Sequence, residues 1–213
     1  MEDNPVEKDF LNMTVRQFIQ VTADKTPTPG GGSIAAVVGA LATALGEMAL
    51  AFTRGKKKFT AHEELYVQVA DRAQRARGLF LELVKDDVAA FELYQQTSRM
   101  EAGGEKDRAM QTALAAAINV PRQTSKLALA VMKDMASLAD KCNPYLASDL
   151  LAGAALIEAT VRLCDYNVLA NTPQMPDSDQ AGELRQASVS DVQQARNLRE
   201  TIERTAFPGA WPA

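Results

Sequence analysis

Residues 26–52 read TPTPGGGSIAAVVGALATALGEMALAF, two prolines and three glycines leading into 19 residues that carry one charge, Glu47. At 100° per residue, Ala35, Gly39, Ala42, Gly46, Ala49 and Thr53 fall on a single stripe, and every member is small. Such a stripe lets a second helix approach until the backbones nearly touch, in lipid or in a water-soluble core. Val37, Val38, Leu41, Leu45, Met48 and Phe52 occupy the opposite side, which predicts a helix over 33–53, apolar nearly all round and central to the fold. Its length would just span a bilayer. Glu47, the many Ala and Gly residues, and the lack of any comparable apolar stretch argue against membrane insertion.

The rest of the chain keeps a 3.6-residue period, and no stretch alternates convincingly enough to be a strand. The fold class expected is all-α, a bundle of five to six long helices. The first begins at Thr14, where TVRQ is a capping box, and ends near Lys25. A third covers 61–97. A fourth, over 105–140, contains Pro121, which should kink it or divide it. A fifth spans 145–170. NTPQMPDSDQAGE is polar and carries prolines, so residues 172–189 read as a linker; a capping box at Ser190 and Gln193 then opens a last helix within 190–213. The expected organisation is one helical domain over 1–213.

Composition narrows the function. With 213 residues the chain can enclose a core without staples, and a net charge of -4 offers nucleic acid no general attraction. Any anion must be held by a local cluster of bases. Cys142 and Cys164 stand 22 apart, without a CxxC motif or paired histidines, so neither zinc nor a disulfide framework is indicated. MEDNPVEKDF is acidic and polar, unlike a secretory signal, and the protein reads as cytoplasmic.

Polar residues at positions where apolar ones are expected mark the candidate site. Asp87 falls near the middle of the stripe Val69, Ala73, Ala76, Phe80, Leu83, Val84, Phe91 and Tyr94, where a carboxylate must be paired, protonated or facing a cavity. Asp149, Gly153, Thr160, Asn167 and Asn171 share one side of helix five. Asp149 and Asn167 are 18 residues apart, about 27 Å along a helix, so one small molecule reaches both only if a symmetric dimer brings opposite ends together. Arg54, Lys56, Lys57 and Lys58 form a basic turn, favourable at a helix C-terminus and also suited to docking a carboxylate or phosphate tail. Gly31, Gly32 and Ser33 either make a tight entry with Ser33 as cap, or present free N–H groups to an anion or carbonyl. A phosphate loop is excluded by the missing GxxxxGK[ST] spacing. His62, on a polar stretch, reads as solvated, and Trp211 as a tail or interface residue.

TPTPGGGSIAA, GKKKF, DDVAAF, Val120-Pro121, NPYLASD and the pair Asn167 and Asn171 stand in order across residues 14–172. Together they resemble the formiminotetrahydrofolate cyclodeaminase and methenyltetrahydrofolate cyclohydrolase proteins. The resemblance implies an all-helical, homodimeric folate enzyme with a crevice near the subunit interface, acting on the one-carbon unit carried by two folate nitrogens. It implies Asp87 and Asp149 as catalytic carboxylates, and Gly31, Gly32, Ser33, Lys56, Lys57, Lys58, Phe91, Pro121, Asn143, Ser148, Asn167 and Asn171 as substrate contacts. No metal, nucleotide or other cofactor is implied beyond the tetrahydrofolate substrate, and no nucleic-acid or membrane partner. Cys142 and Arg122 depart from residues more usual in the family. The absence of a fused formiminotransferase domain favours hydrolysis of 5,10-methenyltetrahydrofolate to 10-formyltetrahydrofolate over release of ammonia from the formimino derivative. A helical folate-binding or scaffold protein without catalysis is the remaining expectation.

Overall fold

The computed structural model describes residues 9–210. The acidic segment 1–8 and Trp211 lie outside the described residues. Among the described residues there are six α-helices: α1 Val15–Ala23, α2 Gly31–Ala51, α3 Glu63–Ser98, α4 Gly104–Leu138, α5 Ala147–Asn171 and α6 Ser178–Ala206. No strand occurs among the described residues.

The capping box at the start of α1 is present: the Thr14 hydroxyl accepts from the Gln17 backbone and the Gln17 side chain accepts from the Thr14 backbone. α1 buries none of its residues, leaving Val15 and Ile19 exposed. α2 packs against α3 and α5, α4 closes the other side of both, and α6 lies on α4 and α5. The small-residue stripe of α2 works as its spacing predicts. Ala35, Gly39, Ala42, Gly46, Ala49 and Thr53 are all buried. A Cβ on Gly39 would lie 2.5 Å from the Phe80 ring, and one on Gly153 would lie 3.1 Å from the Ala42 carbonyl oxygen, so α2 and α5 approach backbone to backbone. The opposite side of α2 is only partly covered: Leu41 and Phe52 are more than half exposed. Helix α2 is long and apolar enough to cross a membrane, but its small-residue side is the centre of the helical core.

Of the two alternatives at Pro121, division is excluded: α4 runs unbroken from Gly104 to Leu138. Proline lacks the N–H that would bond the carbonyl four residues back, at Ala117, and the Asn171 side chain supplies that bond instead, Nδ2 to O 3.3 Å. Nor is 172–189 a linker. Thr172–Gln174 forms a 3-10 turn and α6 starts at Ser178, because the Asp177 carboxylate accepts from the backbone N–H groups of Asp179 and Gln180. The polar composition belongs to the solvated face of a helix, and Ser190 lies within α6, where no cap is needed. Lys126 and Ser125 on α4 bond Asp191, and Arg199 bridges Glu158 and Glu203, tying α6 to the bundle.

Candidate active site

The N-terminus of α2 is built for close approach. Gly30 takes the N-cap position with no side-chain bond, and Ser33, expected there, stands in the first turn with its hydroxyl directed elsewhere. Ser33 is fully buried and donates to Asp87 Oδ2 at 2.6 Å, from α2 to α3. A Cβ on Gly32 would fall 2.0 Å from Asp87 Oδ1 and 2.6 Å from its Cγ. Only glycine leaves room for the carboxylate, which rests on the bare backbone of the helix start. From α5, Asn167 reaches the same place: a Cβ on Gly31 would be 3.8 Å from its Nδ2. Phe91, one turn beyond Asp87 on α3, is half-buried.

Electrostatics at Asp87 are a contest. Burial pushes its carboxyl above the ordinary carboxylate range, while the Ser33 hydroxyl and backbone N–H bonds pull in the other direction and do not cancel it. Among the described residues no cation forms an ion pair with Asp87. Among the described residues, a salt bridge between helices is therefore not what accommodates this core-facing aspartate. Cys164 lies close enough to feel the Asp87 charge. Burial first, and that charge second, push its thiol up to about 12, so it remains neutral and non-nucleophilic near neutral pH.

Asn171 belongs to this end of the bundle but its amide is engaged, donating to Asn167 O at 2.9 Å and to Ala117 O. Pro121 is buried beside that contact. Asn167 donates to Leu163 O at 2.8 Å, leaving its carbonyl oxygen for another donor.

The remaining residues named from sequence gather at the opposite end of α2, about 30 Å away over its 21 residues. Asn143 is buried and holds a turn: its backbone N–H donates to Thr53 Oγ1 at 2.8 Å, its Nδ2 to Phe52 O at 3.2 Å, and its Oδ1 accepts from Tyr145 N at 3.3 Å. These bonds use the amide that was expected to contact substrate. Asp149 is half-buried in the first turn of α5, Ser148 is exposed, and Lys56, Lys57 and Lys58 are exposed in the turn after α2. His62 is exposed as expected, with its ring edge-on to Tyr66. A single chain thus brings Gly31, Gly32, Ser33, Asp87 and Asn167 together, and separately Asn143, Ser148, Asp149 and the lysines. It does not bring the two aspartates together.

Sequence reading missed the Ala117 carbonyl as the partner of Asn171, although the signal was present in a mid-helix proline that must orphan one acceptor. It also passed over Tyr145, 91% exposed in the NPY turn. Hollows of about 360 Å³, against Val84, Lys85, Val88 and Glu92, and of about 610 Å³, between Leu169, Arg185 and Val189, lie elsewhere and do not include Asp87.

Residues 14–195 match the family model described as formiminotransferase-cyclodeaminase. The chain is 30% identical over 203 residues to a formimidoyltransferase-cyclodeaminase of Dictyostelium discoideum, covering 95% of this chain but only 37% of that protein. It is 30% identical over 201 residues to the methenyltetrahydrofolate cyclohydrolase of Methylorubrum extorquens, covering 91% of this chain and 96% of the other. The crystal structure of formiminotetrahydrofolate cyclodeaminase from Thermotoga maritima superposes with a TM-score of 0.86 at 28% identity, over 94% of this chain and 99% of that one. On the strength of a match that spans most of the sequence and an all-helical frame shared almost end to end, this chain belongs to the formiminotransferase-cyclodeaminase family.

Proposed function

We propose that the protein is a folate one-carbon enzyme that hydrolyses 5,10-methenyltetrahydrofolate to 10-formyltetrahydrofolate, with Asp87 as general base. The observation that carries this reading is the setting of Asp87: largely withdrawn from water, free of any cation among the described residues, and bonded to Ser33 at the start of α2. The substrate's amidinium is a cation. A carboxylate in a poorly solvated place favours it and is itself stabilised in return, so the charge that is costly in the empty site is offset when the site is filled. Asp87 accepts a proton from water as the water oxygen bonds the bridging carbon. The neutral hydroxyl adduct then collapses: its O–H proton is given up as the formyl C=O forms, the bond from that carbon to N5 breaks and N5 takes a proton in exchange, the formyl group stays on N10, and Asp87 returns the proton it took to solvent. Ser33 and the α2 N-terminus hold the carboxylate in register, Asn167 offers a bond to the pterin edge, and Phe91 an apolar wall. No metal or further cofactor enters this scheme.

Two separated clusters of site residues support a symmetric dimer, in which the lysine turn, Ser148 and Asp149 of one chain face the Asp87 end of a second copy. The exposed apolar residues Val15, Ile19, Leu41 and Phe52 supply a surface for it.

The second reading is release of ammonia from formiminotetrahydrofolate, favoured by the likeness to the Thermotoga maritima cyclodeaminase. Here N10 attacks the protonated formimino carbon, Asp87 takes the N10 proton and passes it to the resulting amine, and the carbon–nitrogen bond to that amine breaks to release ammonia. The match to the Methylorubrum extorquens cyclohydrolase, nearly complete in both chains, favours hydrolysis. Parallel assays of the two folates decide. Loss of methenyl absorbance above the spontaneous rate supports the first reading; ammonia release without it supports the second; neither activity refutes both.

A further inference from the structure

Tyr145 is the most exposed large side chain among the described apolar and aromatic residues, at 91%, yet its backbone N–H is bonded, to Asn143 Oδ1 at 3.3 Å. It follows Pro144, its N–H is bonded by Asn143 Oδ1, and Asn143 is itself pinned to Phe52 and Thr53 at the end of α2. A buried polar network therefore presents a ring that touches little. Phe52, whose carbonyl accepts from Asn143, is 53% exposed at the same end. Three and more residues beyond Thr53 come Lys56, Lys57 and Lys58, exposed and outside every ion pair among the described residues, in a chain of net charge -4. Gly55, at φ +72°, turns the backbone between helix and lysines, and the turn that carries Tyr145 is bonded to the end of the same helix through Asn143.

An exposed aromatic ring at the same end of α2 as Lys56 and Lys57, which form no ion pair among the described residues, and Lys58, whose ammonium lies over the Phe59 ring, matches one ligand chemistry: a flat ring joined through an amide to carboxylates. We infer that Tyr145 is a substrate-binding residue, stacking on the aryl ring of an arylamide dicarboxylate whose carboxylates lie on the lysine turn. This inference rests on the folate reading above, which supplies a substrate with such a part. Because this corner is about 30 Å from the same chain's Asp87, the one-carbon end of that ligand reacts at the Asp87 of a second copy.

The test uses the full-length protein and two probes. The first is p-aminobenzoyl-diglutamate, which carries ring and carboxylates but no pterin, titrated calorimetrically into wild type, Tyr145→Ala and Tyr145→Phe. Saturable binding is expected in wild type, weakened three- to tenfold in Tyr145→Ala and retained in Tyr145→Phe, the range expected for loss of one aromatic pair. The second is 5,10-methenyltetrahydrofolate diglutamate, whose KM should rise by the same factor in Tyr145→Ala with kcat little changed. Failure of wild type to bind the first probe, or equal binding by wild type and Tyr145→Ala, overturns the inference even if wild type turns over folate. An active wild type is not needed for the calorimetric arm, so an inactive protein with Tyr145-dependent binding sinks the enzymatic reading alone. Sedimentation of Tyr145→Ala guards against an assembly role: a mass changed from wild type assigns the ring to a subunit contact and overturns the inference.

Discussion

Ser33 and Asp87, 54 residues apart, meet through a 2.6 Å hydrogen bond at the point where the first turn of α2 touches α3. The bond fixes a carboxylate that burial would prefer to see protonated. The same setting has a consequence for stability. Because Asp87 holds its proton to a higher pH in the folded chain than in the unfolded one, the native state binds more protons from the ordinary carboxylate range upwards. Unfolding free energy therefore falls as pH climbs through that window, and the loss is complete above the raised pKa. Asp87→Asn removes the loss while keeping the shape. Its melting temperature should match wild type below the ordinary carboxylate range and exceed it increasingly as pH rises through and above that range; a difference that shrinks as pH rises would contradict the stated protonation.

Gly32→Ala should abolish turnover. A methyl group 2.0 Å from Asp87 Oδ1 has no space, and the carboxylate must leave its seat on the helix. Alanine is about 1 kcal/mol better than glycine inside a helix, so the fold itself should not be lost. Circular dichroism unchanged with activity down by a hundredfold or more is the expected pair of results, and an active variant would show that the seat is dispensable.

Asn171 and Pro121 should be energetically coupled. Asn171→Ala leaves the Ala117 carbonyl unbonded at a cost of about 1–3 kcal/mol. In a Pro121→Ala background residue 121 regains an N–H that can bond Ala117, and the same Asn171→Ala change should then cost at least about 1 kcal/mol less. Urea unfolding of the four proteins measures the coupling. Strict additivity would mean that the side chain is not what carries α4 through its proline.

Leu41→Arg places a charge on the exposed side of α2, away from the small-residue stripe. If two copies combine their clusters, this change should give a folded monomer by sedimentation that has lost most of its turnover. A monomer with wild-type activity would place all the necessary residues in one chain.

The frame of the protein was legible because its rules are periodic. The stripe of α2 demanded a close helix partner, and Gly153 against Ala42 provides it. Asp87 was legible as an anomaly on an apolar stripe. What escaped depended on competition between signals. Ser33 looked like a cap because serine usually is one, but Asp87 offers its hydroxyl a stronger partner. The start of α6 was hidden because Asp177 and Ser190 both carry cap chemistry, and polar residues between them suit an exposed helix as well as a coil. The bonds of Asn143 were not legible because its partners Thr53 and Phe52 lie 90 and 91 residues back, beyond the reach of local pattern. Tyr145 gave no periodic signal at all, since exposure of a ring in a turn is decided by neighbours distant in sequence.

The central claim is that Asp87 takes the proton from the attacking water. The direct measurement is the first-order loss of methenyl absorbance under saturating protein, wild type against Asp87→Asn, at one pH and corrected for the spontaneous reaction. A wild-type rate clearly above background is expected, with a fall of about 10²- to 10⁴-fold in the variant and the substrate still bound. A variant within a few-fold of wild type would contradict it.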